Sequence, residues 1–287
     1  MCRLKFNPDK DIPDLTGKAI SIIVGSARIS ALTAIQLAMY HAARIYLNHP
    51  AISFKDKRLF KCNVTSLAGG RGQCSAAEAR LDVFICSVGI MATPPGLTGD
   101  EYEAQSGTNH LGPAVPVRES LPLLQETANS HGASSATSLR SSRADGFSST
   151  RSEESERARP KASFGPRFGM GRARSSSRTF CMQRSLRGLP SVTSMSIHPG
   201  VVSTNLVDGL TFGKRLFVSI TTLGQNVSPE EGSYTALWAA STTTKDQLVN
   251  GAFYEPDGKG GGLIVRAAMR GQTGSCGEWP QRTLDGY

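Results

Sequence analysis

Two apolar runs that each lead into glycine constrain the fold of this chain more than any other feature. GKAISIIVG occupies 17–25 and RLDVFICSVGI occupies 80–90, and neither run alternates polar with apolar residues. Continuous apolar segments of this length are typical of strands that are buried on both faces of a parallel sheet. The two runs therefore predict an α/β fold with helices on both faces of the sheet.

Helical patterns lie between and after these runs. Residues 31–43 place apolar side chains at helical spacing among strong helix formers. Residues 102–128 predict a second helix, which we expect Pro113 and Pro116 to kink or break. Residues 228–241, SPEEGSYTALWAAS, begin with Ser, Pro and two acids, the residues preferred at the N-cap, the first helical position and the first turn. The pattern predicts an alternation of strands and helices.

Four shorter stretches predict further strands. ARIYL at 43–47 and AISF at 51–54 are strand-like, and only three residues separate them. Parallel neighbours need a connection of a dozen or more residues, so either these two pieces pair as a hairpin or a helix is missing between them. Residues 192–202 predict a strand with a Pro-Gly turn, and 251–258 predict a closing short strand and turn.

The segment from Ala133 to Pro190 has a different composition from its neighbours. It contains 14 serines, 12 Lys or Arg and 4 Asp or Glu, so eight of the nine net positive charges of the chain lie in it. Neither a helical nor a strand period is sustained, which predicts loop or disorder. Twelve basic side chains could neutralise phosphates, but the segment has no recognised nucleic-acid-binding motif. We therefore expect no specific nucleic-acid partner.

The six cysteines and the remaining composition indicate an ordinary intracellular chain. The cysteines lie far apart without a C-x-x-C pair, which argues against a metal site and against a disulfide scaffold. The first residues are polar, and no run approaches 18 apolar residues. We expect a soluble, cytoplasmic protein without a membrane span.

Six local pieces, taken in order, resemble the short-chain dehydrogenase/reductase family, most closely its retinol-dehydrogenase-like branch. They are LTGKA ending at Ala19, RLDVFIC to GIMATPPGLT at 80–98, GTNHLG at 107–112, SIHPGVVST at 196–204, LWAAS at 237–241 and GAFYEP at 251–256. The resemblance implies one Rossmann-like, doubly wound parallel sheet over 12–257, incomplete or disordered around 133–190. Residues 1–11 would then be a polar lead and 258–287 a C-terminal tail.

The resemblance also implies a nicotinamide cofactor and its binding residues. In this family the first strand runs into a T-G-x-x-x-G-I-G-like turn that lets the backbone approach the pyrophosphate. IVGSARIS at 23–30 aligns with it, with Arg28 and Ser30 at glycine positions. The implied cofactor-binding residues are Gly25, Ser26, Ile29, Asn63, Ser87, Gly89, Pro199, Gly200, Val201 and Thr204. NADP is the family-level expectation, although the choice between NAD and NADP and the oligomeric state stay open.

The family's reaction passes hydride between the nicotinamide and a small-molecule carbonyl or alcohol, with proton transfer by side chains. Asn109, in GTNHLG, aligns with the Asn that positions a water in the proton relay. The alternative is an ordinary helix Asn bonded to backbone. The relay's Tyr and Lys stand four residues apart, so that the ammonium lowers the Tyr pKa, but this chain contains no Y-x-x-x-K.

The stretch GMGRARSSSRTFCM at 169–182 stands where that Tyr and Lys belong. Codons GGT ATG GGC AGA GCA AGA for Gly169–Arg174, read from the last base of the first codon, encode Y-G-Q-S-K. In the same frame, codons for Ser134–Leu139 can encode V-S-N-V-S-S, the family's strand with the catalytic Ser. We hypothesise that about 133–190 is an out-of-frame translation of the catalytic segment.

Three functional interpretations follow. The chain is an NAD(P)-dependent oxidoreductase by descent whose activity is impaired, because the Tyr and Lys are absent. Alternatively, it is a catalytically inactive relative or a defective gene product. The third interpretation, a basic Arg/Ser-rich nucleic-acid-binding protein, predicts salt-sensitive retention on heparin or RNA.

The reading-frame hypothesis makes a prediction about the coding DNA. We expect sequencing across 133–190 to find codons that encode V-S-N-V-S-S and Y-G-Q-S-K in the shifted frame, together with compensating insertions or deletions before Ser134 and before Ser191 relative to an intact gene. Codons that encode neither V-S-N-V-S-S nor Y-G-Q-S-K in the shifted frame would contradict the hypothesis.

Overall fold

The computed structural model describes most of the first 139 residues and separate shorter stretches after residue 188. The described residues are 3–24, 27–48, 79–90, 96–104, 107–131, 134–139, 189, 191–200, 202, 227–242, 248–250, 252–256 and 262–266. The predicted strand at 51–54 and residues 140–188 of the Arg/Ser-rich segment therefore lie outside the described residues.

Eight strands of the described part form one sheet. They are β1 (Arg3–Lys5), β2 (Ala19–Val24), β3 (Arg44–Asn48), β4 (Val83–Ser87), β5 (Ser134–Leu139), β6 (Val192–Ile197), β7 (Phe253–Pro256) and β8 (Gly262–Arg266). Their order across the sheet is β1-β8-β7-β6-β5-β4-β2-β3. Strands β2 to β7 run parallel to one another, whereas β8 is antiparallel to β7 and β1 is antiparallel to β8. The predicted α/β class with a doubly wound parallel sheet is confirmed.

Helices cover both faces of this sheet. Helix α2 (Ala27–Met39) and helix α4 (Pro229–Ser241) pack on each other and on the face that carries Ile20, Ile22 and Ile85, while helix α3 (Gly112–His131) packs on the face that carries Phe84. The short helix α1 (Pro8–Asp11) contacts α4. Successive residues of β2 and β4 therefore contribute to opposite layers of the core, as in strands buried on both sides.

Helices α2 and α3 are present where helices were predicted, but neither begins at the predicted residue, 31 or 102. Helix α2 begins four residues before 31, at Ala27, directly after β2. Helix α3 begins at Gly112 after a π-helical turn at Gly107–Leu111, and it continues through Pro116 and Pro122 instead of breaking. Pro122 and the residue four positions before it, Arg118, are both exposed, so water can reach the carbonyl that loses its intrahelical partner.

The prediction of loop or disorder from residue 133 is wrong for β5. This strand pairs with β4 on one side and with β6 on the other, so it closes what would be a gap in the middle of the sheet. Backbone N–H and C=O groups make these hydrogen bonds, so the bonds do not require particular side chains. Pairing with a strand on each side outweighs the weak strand propensity of SSATSL. The composition of the segment could not report these neighbours.

The sheet also extends beyond the expected domain limits of 12 and 257. Strand β1 comes from the predicted polar lead, and β8 comes from the predicted tail; the two strands pair with each other, Leu4 opposite Leu263. Phe6 and Ile12 are buried in the core with α2 and α4. Strands β1 and β8 are therefore part of the same sheet as the strands between 12 and 257.

Strand β3 confirms the strand predicted at 43–47. It pairs in parallel with β2, with Ile20 opposite Ile45, and it is the edge of the sheet on that side. The hairpin with 51–54 stays a prediction, because those residues are outside the described part.

A buried carboxylate joins the amino-terminal ends of β2 and β4. Asp82, of which 2% of the side chain is exposed, accepts hydrogen bonds from Ala19 N at 2.9 Å, Arg80 Nε at 2.7 Å, Arg80 Nη2 at 2.8 Å and Lys18 Nζ at 3.2 Å. Burial raises the pKa of Asp82, but these donors and the two positive charges more than offset it, so the pKa lies below the ordinary value of 3.8. The carboxylate stays ionised and holds two strands in register.

Replacing this carboxylate should destabilise the fold. In Asp82→Asn the amide nitrogen faces donors that lose their acceptor, and we expect a loss of about 2 kcal/mol in the free energy of unfolding at pH 7. Because the pKa of Asp82 is lowered on folding, the contribution is present above pH ~4 and is lost as the pH falls further, so the two proteins should converge in acid. Thermal melts from pH 7 to pH 3 measure this, with Glu126→Gln, an exposed carboxylate, as the control. Equal melting temperatures for Asp82→Asn and wild type at pH 7 would contradict the role.

Candidate functional site

The carboxyl-terminal edge of the parallel strands is where the topology predicts a ligand site. From β2 the chain moves to β3 on one side, and the later strands β4, β5 and β6 lie on the other side of β2. In open α/β sheets, ligands bind in the crevice at such a topological switch point, outside the carboxyl ends of the strands. The register sets Val24 beside Ser87 at this edge.

The β2–α2 junction holds the predicted phosphate-binding turn. Gly25 and Ser26 lie outside the described residues, and α2 begins immediately after them, so the amino end of a 13-residue helix is at the crevice. Unpaired backbone N–H groups and the helix dipole favour anions at such an end. Ile29 is buried in the first turns of α2.

Ser30 is the main departure from the family pattern that the structure describes at this turn. Its side chain is 2% exposed, and its Oγ finds no hydrogen-bond partner among the described residues. The third glycine of the fingerprint permits close packing of helix on strand. A serine there adds a buried hydroxyl instead, which costs free energy when it is unpaired.

Asn109 fixes the loop that follows β4. Its Oδ1 accepts a hydrogen bond from Ile90 N at 2.7 Å, and its Nδ2 donates to Ile90 O at 2.9 Å, so the carboxamide pairs with both backbone groups of one residue. The side chain belongs to the π-helical turn and is buried. A Cβ on Gly89 would lie 3.8 Å from Asn109 Oδ1. Three predicted site residues, Ser87, Gly89 and Asn109, are thus gathered at the end of β4, and the backbone-bonded alternative for Asn109 describes its side chain.

The end of β6 forms a tight turn. His198 N donates to Tyr254 O at 2.8 Å, and Gly200 N donates to His198 Nδ1 at 2.9 Å. Gly200 has a φ of +87°, which a residue with a side chain rarely adopts. Because Nδ1 accepts this bond, the neutral imidazole carries its proton on Nε2. Pro199 and Gly200 therefore lie at the predicted edge, whereas Val201 and Thr204, like Asn63, are outside the described residues.

Tyr254 and Tyr234 differ in environment from the Tyr that the resemblance implies. Tyr254 is fully buried, its OH accepts from Val249 N at 2.8 Å, and its ring lies 4.7 Å from that of Trp238. Burial raises the pKa of Tyr254, and the Val249 bond lowers it by less. Burial and the carboxylates of Glu231, Asp9 and Glu230 likewise raise the pKa of Tyr234. Neither Tyr254 nor Tyr234 therefore has the lowered pKa that a neighbouring ammonium gives the Tyr of the family's proton relay.

The residues at this edge fit a dinucleotide on three strands. The helix end after β2 suits a pyrophosphate, Gly89 keeps the end of β4 free of a side chain, and Gly200 shapes the turn after β6. The described ranges contain no group of three His, Cys, Asp or Glu placed to hold a metal ion. In the same ranges, no helix has both the length and the apolar character needed to cross a membrane.

Two close backbone contacts at the site were not foreseen from the sequence. A Cβ on Gly107 would overlap Thr98 Cγ2, and a Cβ on Gly232 would lie 2.6 Å from Val202 Cγ2. Gly232 is the one glycine inside an otherwise well-formed helix, α4, and that is the signal that could have found it.

The chain is similar in sequence to curated proteins that are described as oxidoreductases. The chain is 22% identical over 275 residues to a short-chain dehydrogenase/reductase of Aspergillus calidoustus, covering 86% of this chain and 87% of the relative. It is 27% identical over 275 residues to an uncharacterized oxidoreductase of Schizosaccharomyces pombe, covering 85% and 78%. No family model matches the chain.

Solved structures share the fold. A 3-ketoacyl-(acyl-carrier-protein) reductase from Brucella melitensis, complexed with NADH, superposes with a TM-score of 0.61 at 15% identity, covering 85% of this chain and 98% of that one. An NADPH-bound carbonyl reductase from chicken fatty liver superposes with a TM-score of 0.58 at 16% identity, covering 87% and 97%.

Removing the Asn109 carboxamide should loosen the end of β4. Asn109→Ala leaves the N–H and C=O of Ile90 without their partner, and we expect a loss of about 2 kcal/mol in the free energy of unfolding. Hydrogen–deuterium exchange should accelerate at the Ile90 amide. Asn129→Ala is the matched control, because that carboxamide is exposed and the bond that it accepts from Ser191 Oγ at 3.0 Å is also exposed, so both quantities should change much less. Unchanged exchange of the Ile90 amide in Asn109→Ala would show that the Asn109 side chain does not hold this loop in place.

Proposed function

We propose that the chain is a member of the short-chain dehydrogenase/reductase family and that it binds NAD(P)(H) at the carboxyl edge of its sheet, as its likeness to curated oxidoreductases and its fold support. It is by descent an oxidoreductase that transfers hydride between the nicotinamide and a small-molecule carbonyl or alcohol. Its turnover is impaired, because the chain lacks the Tyr and Lys that move the proton.

The observation that carries the proposal is the convergence of three strand ends at one crevice. The amino end of α2, the loop held by Asn109 and the Gly200 turn follow β2, β4 and β6 on the same edge of the sheet. The two solved reductases with this fold carry NADH and NADPH. A cofactor spanning the crevice would contact each of these three elements.

Each element has a separate role in holding the dinucleotide. The amino end of α2 would receive the pyrophosphate, Gly89 would let the backbone after β4 approach the ligand, and the Gly200 turn would limit its far end. When bound, the nicotinamide supplies or accepts the hydride. Asn109 keeps the second element in place through Ile90.

The proton side of the reaction explains the proposed impairment. Reduction of a carbonyl requires a proton at the oxygen in addition to the hydride, and positioned acids contribute typically about 10²–10⁴-fold. No tyrosine of the chain precedes a lysine by four residues, and the buried Tyr254 has a raised pKa. Cofactor binding and rapid turnover are therefore separable in this protein.

Binding of NADH and NADPH tests the proposal. We expect one of them to quench or shift its own fluorescence on titration and to raise the melting temperature, since a ligand that binds only the folded state stabilises it. Turnover with carbonyl substrates should remain at least about 10²-fold below that of a family member with the complete acid pair.

Two glycine variants make the test specific for the edge. Gly200 and Gly17 both have positive φ, +87° and +80°, and Gly17 stands at the opposite end of the strands, before β2. Replacing either by alanine strains the backbone by about 1 kcal/mol, but only Gly200→Ala should weaken dinucleotide binding. Wild-type protein that melts cooperatively without any response to either dinucleotide would refute the proposed function.

A further inference from the structure

Helix α4 comes unusually close to the turn that follows β6. A Cβ built on Gly232 would lie 2.6 Å from Val202 Cγ2, 3.4 Å from Val202 Cγ1 and 3.6 Å from Pro199 O. Contacts below 3.0 Å between such atoms do not persist, so one of the two partners would have to move. The missing side chain of Gly232 is what allows the approach.

The helix is the partner that cannot move. Its first turn is fixed by a capping box, in which Glu231 N donates to Ser228 Oγ and Ser228 N donates to Glu231 Oε2. Its next turns are buried against α2 and the sheet, with Ala236, Leu237 and Ala239 fully enclosed. Alanine at 232 would even favour the helix itself.

The turn after β6 is the partner that must yield. Val202 is β-branched and buried, so its χ1 cannot readily rotate away. Val202 also makes a parallel bridge to Val227, the residue just before the N-cap of α4. A push on Val202 would therefore act, through the chain, on Pro199 and Gly200, which follow β6; Gly200 N donates a hydrogen bond to His198 Nδ1 there.

We propose that Gly232 is a positioning residue for the Pro199–Val202 turn and so for the part of the dinucleotide that lies furthest from α2. This inference rests on the proposed function. The dinucleotide spans the crevice from the β2–α2 junction towards β6, so the adenosine and pyrophosphate half contacts other elements. Displacing the turn should weaken the nicotinamide half of the interaction and spare the other half.

The experiment compares Gly232→Ala with Gly99→Ala, the latter at a glycine that has no atom within 4 Å of an added Cβ. The ligands are the reduced dinucleotide that wild type binds more tightly and ADP-ribose, which lacks the nicotinamide. In Gly232→Ala the Kd of the dinucleotide should rise about tenfold, while that of ADP-ribose stays within about twofold. Gly99→Ala should leave both unchanged.

A second variant separates positioning from damage to the fold. Val202→Ala removes both methyl groups that meet the new Cβ, so Gly232→Ala combined with Val202→Ala should regain most of the lost dinucleotide affinity. In the protein without ligand, hydrogen–deuterium exchange in the peptide spanning 196–202 should rise in Gly232→Ala and return towards wild type in the double variant.

The outcomes distinguish this inference from the proposed function. Equal loss of dinucleotide and ADP-ribose affinity, or no rescue by Val202→Ala, would overturn the positioning role while leaving dinucleotide binding intact in wild type. If wild type binds neither ligand, the proposed function fails, and Gly232 then cannot position a cofactor. Unchanged exchange at 196–202 in Gly232→Ala would overturn the packing argument by itself.

Discussion

The sheet depends on the backbone pairing of β5 with both of its neighbours. Without this strand, β2, β3 and β4 would be separated from β6, β7 and β8, and the crevice would lose its continuous floor. Peptide N–H and C=O groups make the pairing, with Phe84 opposite Ala136 on one side and Ala136 opposite Ser194 on the other. A strand of small polar residues can therefore take a central place in a sheet when it has a neighbour on each side.

The sheet depends on backbone hydrogen bonds, whereas the proton-transfer chemistry of a site depends on particular side chains. Strand pairing needs only backbone N–H and C=O groups, whereas a Tyr and a Lys four residues apart are two particular side chains. Strand β5 pairs with β4 and β6, although the sequence contains no Tyr-x-x-x-Lys. The architecture of the sheet therefore does not depend on that pair of side chains.

The features that were predictable from sequence depend on neighbours along the chain. The apolar runs at β2 and β4 and the Ser-Pro-Glu-Glu start of α4 carry their own periodicity and capping signals, and the structure contains all three elements. The Asp82 cluster, the bond of Asn109 to Ile90 and the contact of Gly232 with Val202 depend on residues brought together by tertiary packing. A single sequence holds no local signal for them beyond an isolated acid, Asn or Gly.

The pairing of β1 with β8 joins two strands that lie far apart in the sequence, at Arg3–Lys5 and Gly262–Arg266. β1 is the outermost strand on its side of the sheet and bonds to β8 alone, and β8 in turn bonds to β7. Because β8 is its one partner in the described sheet, β1 can join the sheet only after the chain as far as β8 has been synthesised. Until then Leu4 has no strand opposite it, and most of the chain separates the two halves of this pairing.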